Sequence, residues 1–150
     1  NSVRADLPEI LLDDVWELCK DSLTNSRKVT ETKGMICLAK IIEKEEGELQ
    51  YNCLIAVMEI AAAAETSSDL RRAAFKTNSP AAKAVLDQLL RVIQEESSPA
   101  LQIAAIKSIG CLARTFPARE TRIVGPLVSR LSDRNVIVAA EAATALAKFV

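Results

Sequence analysis

One pattern constrains this chain more than any other: a long, apolar helical segment that recurs four times. "DLPEILLDDVWELC", "GELQYNCLIAVMEIA", "PALQIAAIKSIGCLA" and "NVIVAAEAATALAKFV" superpose with Val15, Val57, Ile109 and Leu146 in one column. Leu18, Ile60, Leu112 and Phe149 fill a second column, Leu12, Leu54, Ile106 and Ala143 a third, and Leu7, Leu49, Leu101 and Val138 a fourth. The steps between copies are 42, 52 and 37 residues. Internal periods of this size mark stacked repeat architectures. The second copy is apolar at eleven of the twelve positions from Cys53 to Ala64, with Glu59 the one break. A helix lying on a single core needs only one apolar stripe. A helix apolar on several sides needs neighbours on several sides, as a plank in a stack has.

Between the long segments lies a second type: "GMICLAKIIEKE" (34–45), "SPAAKAVLDQLLRVIQEE" (79–96) and "GPLVSRLSD" (125–133). Ser79 before Pro80, and Ser98 before Pro99, fit an N-cap followed by the first helical position. Gly125-Pro126 is read as a third helix start. Shorter polar segments precede each: "SRKVTETK", "SSDLRRAAFK" and "PARETRI". The unit is therefore short helix, middle helix, long helix. One leading long helix (1–23) is followed by three units, at about 24–65, 66–115 and 116–150, the second lengthened around 65–78. A lone unit cannot bury its apolar faces; stacked units can. The expected fold is an all-α solenoid with the long helices side by side on a concave face.

Composition narrows the function. The chain has 150 residues, 49% of them apolar, with 19 basic and 20 acidic residues and a formal net charge of −1. That balance gives no case for nucleic acid or for an anionic membrane surface. Histidine is absent, so no Ser-His or Cys-His pair can form. No phosphate-cradling glycine loop is present. An enzyme, a cofactor and a metal site are not expected. Cys19, Cys37, Cys53 and Cys111 are spaced unlike zinc motifs and sit in apolar helical patterns, as reduced structural thiols of a cytosolic or nuclear protein would. No uncharged run is long enough for a membrane helix. The abrupt start and the apolar finish at Phe149-Val150 read as a piece of something longer.

"GPLVSRLSDRNVIVAAEAATALAKF" resembles an armadillo repeat, with its Gly-Pro opening, L-V-x-x-L middle helix and V-x-x-x-A-A-x-A-L long helix. "DLRRAAFKTNSPAAKAVLDQLLRVI", "IKSIGCLARTF" and "ETRIVGPLV" further resemble the plant armadillo-repeat-only family. The resemblance implies a right-handed superhelical armadillo solenoid. It also implies a non-enzymatic protein-interaction scaffold in Rho-type small GTPase signalling and polarised tip growth. Its partners would be regulators or effectors of Rho GTPases, including GTPase-activating proteins. It would act in the cytoplasm, in the nucleus, or at the plasma membrane at growth sites.

Two columns of the long helices face the expected groove. They hold Asp13 and Glu17, Ile55 and Glu59, Lys107 and Cys111, then Thr144 and Lys148; one turn earlier lie Glu9, Tyr51, Ile103 and Ala140. This ladder runs from acidic through apolar to basic, and suits an extended or helical peptide. The alternative reading is solvated faces that only keep the helices soluble. Armadillo carriers of nuclear-import signals place Trp and Asn four apart at these columns. No unit here has that pair, and Trp16 falls one residue off. An import-type adaptor binding basic peptides is thus the competing function, and a spacer with no ligand a third.

Outside the repeat, "LRRAAFKTNSP" offers Arg71, Arg72 and Lys76 as a basic docking loop, and Ser79 as a proline-directed phosphorylation site. Helix capping by Ser79 and core packing by Phe75 are the competing readings. Gly110 in a helix interior implies close approach of a neighbour, and Gly47 a break after the acidic run "EKEE". Uncapped terminal faces favour self-association.

Overall fold

The computed structural model describes residues 34–75, 79–95, 98–116 and 121–149. Seven helices lie among them: α1 (Gly34–Lys44), α2 (Glu48–Thr66), α3 (Ser68–Phe75), α4 (Pro80–Gln94), α5 (Pro99–Cys111), α6 (Thr121–Arg130) and α7 (Val136–Ala147). No strand occurs among the described residues. The leading segment 1–23, with Asp13, Trp16, Glu17 and Cys19, lies outside them, as does Lys76.

The helices form two layers. The long helices α2, α5 and α7 pack side by side in one, and α1, α4 and α6 pack in the other. Each long helix also packs on its own partner: α1 on α2, α4 on α5, α6 on α7. This accounts for the apolar breadth of α2. It meets α1, α3 and α5, and buries Cys53 through Val57 as well as Ile60, Ala61 and Ala64.

The turns are set by local chemistry. Gly47 closes the α1–α2 connection at φ 75°, ψ −142°, a region open to glycine and strained for other residues. The serine hydroxyls of Ser79 and Ser98 accept from the amides of Ala82 (3.1 Å) and Leu101 (3.4 Å), capping α4 and α5. Asn135 caps α7 through the amides of Ile137 and Val138. The carbonyl of Ile42, in the last turn of α1, accepts from Gln50 Nε2 at 3.0 Å and from Arg91 Nη2 at 2.9 Å. A helix C-terminus is thereby closed by the next middle helix, 49 residues on.

One boundary departs from expectation. The third middle helix starts at Thr121, not at Gly125, and Pro126 lies inside it. An interior proline has no N–H to give and costs a helix about 3 kcal/mol. Ile123 and Leu127, one turn apart on either side of that break, are both fully buried. Their packing holds the helix through the proline.

The last unit leaves an apolar face open. Val124 and Val128 on α6, Leu131 just beyond it, and Val136 and Ile137 at the start of α7 are exposed. By the 37-residue step that relates α5 to α7, Val124, Val128 and Leu131 match Asp87, Arg91 and Gln94 of α4. Those three line the cleft where α4 meets Arg122 and Pro126 of α6. The surface by which α4 meets the following unit is thus repeated, more apolar, on α6 and the turn after it.

Candidate groove site

The layer of long helices carries a notch where three of them converge. Its walls come from Met58, Glu59 and Ala62 of α2, Ile106, Lys107, Gly110 and Cys111 of α5, Glu141, Thr144 and Ala145 of α7, and Lys148 just beyond α7. Its volume is about 290 Å³ and its lining is mostly apolar. The notch exists because side chains are missing from it. A Cβ at Gly110 would stand 3.4 Å from Cα and Cβ of Ala145, so α5 and α7 approach closely there. Ala62 adds little bulk on the opposite wall, while Met58 and Ile106 supply the apolar surface.

Ion pairs rim the notch. Lys148 Nζ lies 2.6 Å from Glu65 Oε2, reaching from the end of α7 to the last turn of α2. Lys107 Nζ lies 3.8 Å from Glu141 Oε1. The hydrogen bond to Glu65 raises the Lys148 ammonium above its ordinary range. Cys111 sits between these groups, half-buried; burial and the Glu65 carboxylate push its thiol up, against the smaller pull of Lys148 and Lys107. Glu59, also half-buried, makes no side-chain ion pair among the described residues.

Five of the expected groove positions, Glu59, Lys107, Cys111, Thr144 and Lys148, therefore line a single cavity. Others do not join it. Ile55 is only 7% exposed: α2 is flanked by α5, and this side chain belongs to the core. Tyr51 is exposed near the start of α2, and Ile103 is half-buried against the core. The acidic end of the expected ladder, Asp13 and Glu17, lies outside the described residues. Both lysines of the C-terminal half are matched by carboxylates that local spacing did not pair with them. Ala62 and Gly110 escaped the columns as groove residues because they shape the site by what they lack, and Met58 because it lies one residue before the Glu59 column.

The basic-loop residues divide. Arg71 Nη1 donates to the carbonyls of Ala64 (2.8 Å) and Glu65 (3.0 Å), closing the C-terminus of α2. Only Ser67 separates α2 from α3, and its hydroxyl accepts from Leu70 N at 3.2 Å. Arg71 is thus a clamp on a sharp corner, not a free docking cation. Arg72 points outward and pairs with Asp69 at 2.7 Å. Phe75 is fully buried. Ser79 occupies its cap, with the hydroxyl engaged.

No family model matches the sequence, and no curated protein matches it. Among solved structures, the chain is similar to "Designed armadillo repeat protein YIII(Dq.V1)4CPAF in complex with peptide (KR)4", with a TM-score of 0.73 and 18% identity. The match covers 97% of this chain and 61% of that one, so this chain spans under two thirds of its length. At that identity the likeness speaks for the fold alone, and the fold is an armadillo-type α-solenoid.

Proposed function

We infer that the chain is a non-enzymatic scaffold that binds peptide segments of other proteins on the face formed by α2, α5 and α7. The observation that carries this reading is the convergence of Glu59, Lys107, Cys111, Thr144 and Lys148 on one mostly apolar notch in that layer. A concave surface with an apolar centre and a charged rim is the form peptide-recognising grooves take. The designed protein of like fold is described in complex with a peptide, which supports the same use here.

The finer assignment rests on the resemblance to the plant armadillo-repeat-only family. On that basis the partners are regulators of Rho-type small GTPases, GTPase-activating proteins among them, and the process is polarised tip growth. Units near 24–65, 66–115 and 116–150 would stack to form the groove, and the open apolar face of the last unit would support self-association. An import-type role with basic peptides is the weaker reading, because Lys107 and Lys148 line the notch that such a peptide would have to enter.

The test is binding of purified plant Rho GTPase-activating proteins to the wild-type chain and to a Tyr51→Ala, Glu59→Lys double variant. Loss of binding with unchanged helix content supports the groove. Equal binding by both refutes it, and absence of binding by either refutes the Rho assignment.

A further inference from the structure

We propose that the notch between α2, α5 and α7 takes a single aliphatic side chain of a bound peptide, and that Glu59 selects a lysine or arginine next to it. The proposal rests on the peptide-scaffold reading and names the sequence class that the scaffold recognises.

The lining argues for an apolar side chain. Small-molecule sites run to roughly 300–1,000 Å³, and the notch, at about 290 Å³, falls at the lower edge of that range. Its floor is backbone and methyl groups, from Gly110 and Ala145, with Met58 and Ile106 beside them. No polar group on that floor asks for a partner, so the occupant's inserted part is apolar. Ala62 is exposed, which leaves the α2 side open to an incoming chain.

Charge argues for the neighbouring residue. Of the rim charges, Lys107 and Lys148 already face Glu141 and Glu65. A carboxylate on the peptide would have to break one of those pairs. Among the described residues Glu59 is the rim carboxylate without an ion pair, and a cation beside the anchor would meet it without breaking either of those pairs. A run of cations fits worse, since it brings like charge against Lys107 and Lys148 and leaves the apolar floor uncovered. The expected class is therefore an aliphatic-basic pair, distinct from a polybasic segment.

The experiment is selection of a random peptide library on phage against the immobilised 150-residue chain. Anisotropy titrations of the enriched peptides follow, with labelled (KR)4 as a second probe. Enriched peptides are expected to carry Leu, Ile or Met adjacent to Lys or Arg, and to bind more tightly than (KR)4. Ala62→Leu, which fills the notch from an exposed position, should weaken them ~10-fold or more. Glu59→Gln should weaken them about threefold, with no loss for a variant peptide whose basic residue is alanine. Enrichment of polybasic sequences would overturn the aliphatic anchor while leaving the peptide scaffold standing. Binding untouched by both substitutions would do the same, by placing the peptide elsewhere. Failure to enrich any peptide removes both readings. A shift of oligomeric state in Ala62→Leu would make a second copy the occupant and also overturn the proposal.

Discussion

Replacing Arg71 with methionine keeps an unbranched apolar stem but removes the guanidinium that closes α2. The lost group donates to two carbonyls, at 2.8 and 3.0 Å, from one nitrogen. A charge-assisted hydrogen bond contributes about 1.5–3 kcal/mol, and a cation at a helix C-terminus about 0.3–1 kcal/mol. Arg71 is half-buried, so water can replace part of this. The net expectation is a loss of about 2 kcal/mol, with Arg71→Lys losing about half as much because it keeps the charge without the fork. The neighbouring Arg72→Ala is the control. Its pair with Asp69 joins side chains 71% and 69% exposed, and such pairs contribute about 0–1 kcal/mol. Urea titrations followed by circular dichroism would measure all three. With slopes of about 1–3 kcal/mol/M, Arg71→Met should move the midpoint by roughly 1 M and Arg72→Ala by little. Equal shifts for the two arginines would refute the corner-clamp assignment and return both to the surface.

Gly47→Ala should cost about 1–3 kcal/mol, read in the same titration, because no alanine rests easily at φ 75° and ψ −142° although the space beside it is open. Burial, with help from Glu45, pushes the Cys53 thiol up to about 12, so alkylation of the native chain at pH 8, mapped by mass spectrometry, should spare Cys53 until denaturant is added. The Lys148 ammonium is raised above 10.5 in the folded state, so its contribution is complete below that pH and is lost as pH rises through the folded value. Lys148→Met should therefore be less stable than wild type at pH 7, by up to about 1 kcal/mol after screening, and the gap should close in strong alkali. Replacing Val128 and Ile137 with glutamate should abolish any concentration-dependent association seen by analytical ultracentrifugation, since both lie exposed on the open end face.

The helical fold was legible because repetition writes each unit more than once. The columns headed by Val57, Ile109 and Leu146 place α2, α5 and α7, and Ser79 and Ser98 cap their helices with the residue types that caps demand. The α6 boundary was not legible, because Gly125-Pro126 reads locally as a helix start, whereas the helix begins one turn earlier at Thr121 and buries Ile123 and Leu127 on either side of the proline. Column reasoning also fixes only the angle of a side chain about its own helix. It could not say that α5 lies close enough to bury Ile55, nor that Lys148 meets a carboxylate 83 residues away. Arg91 escaped notice for the same reason, since its target is the carbonyl of a helix three elements earlier.

The Lys148–Glu65 contact joins α2 to α7 across the intervening α5. In a stack governed by neighbour contacts alone, each joint bends independently of the next. A tie between first and third planks acts as a chord across the arc, so opening either joint stretches it. Both side chains are more than a third exposed on average, so added salt weakens the tie. The curvature of this face then becomes a function of ionic strength.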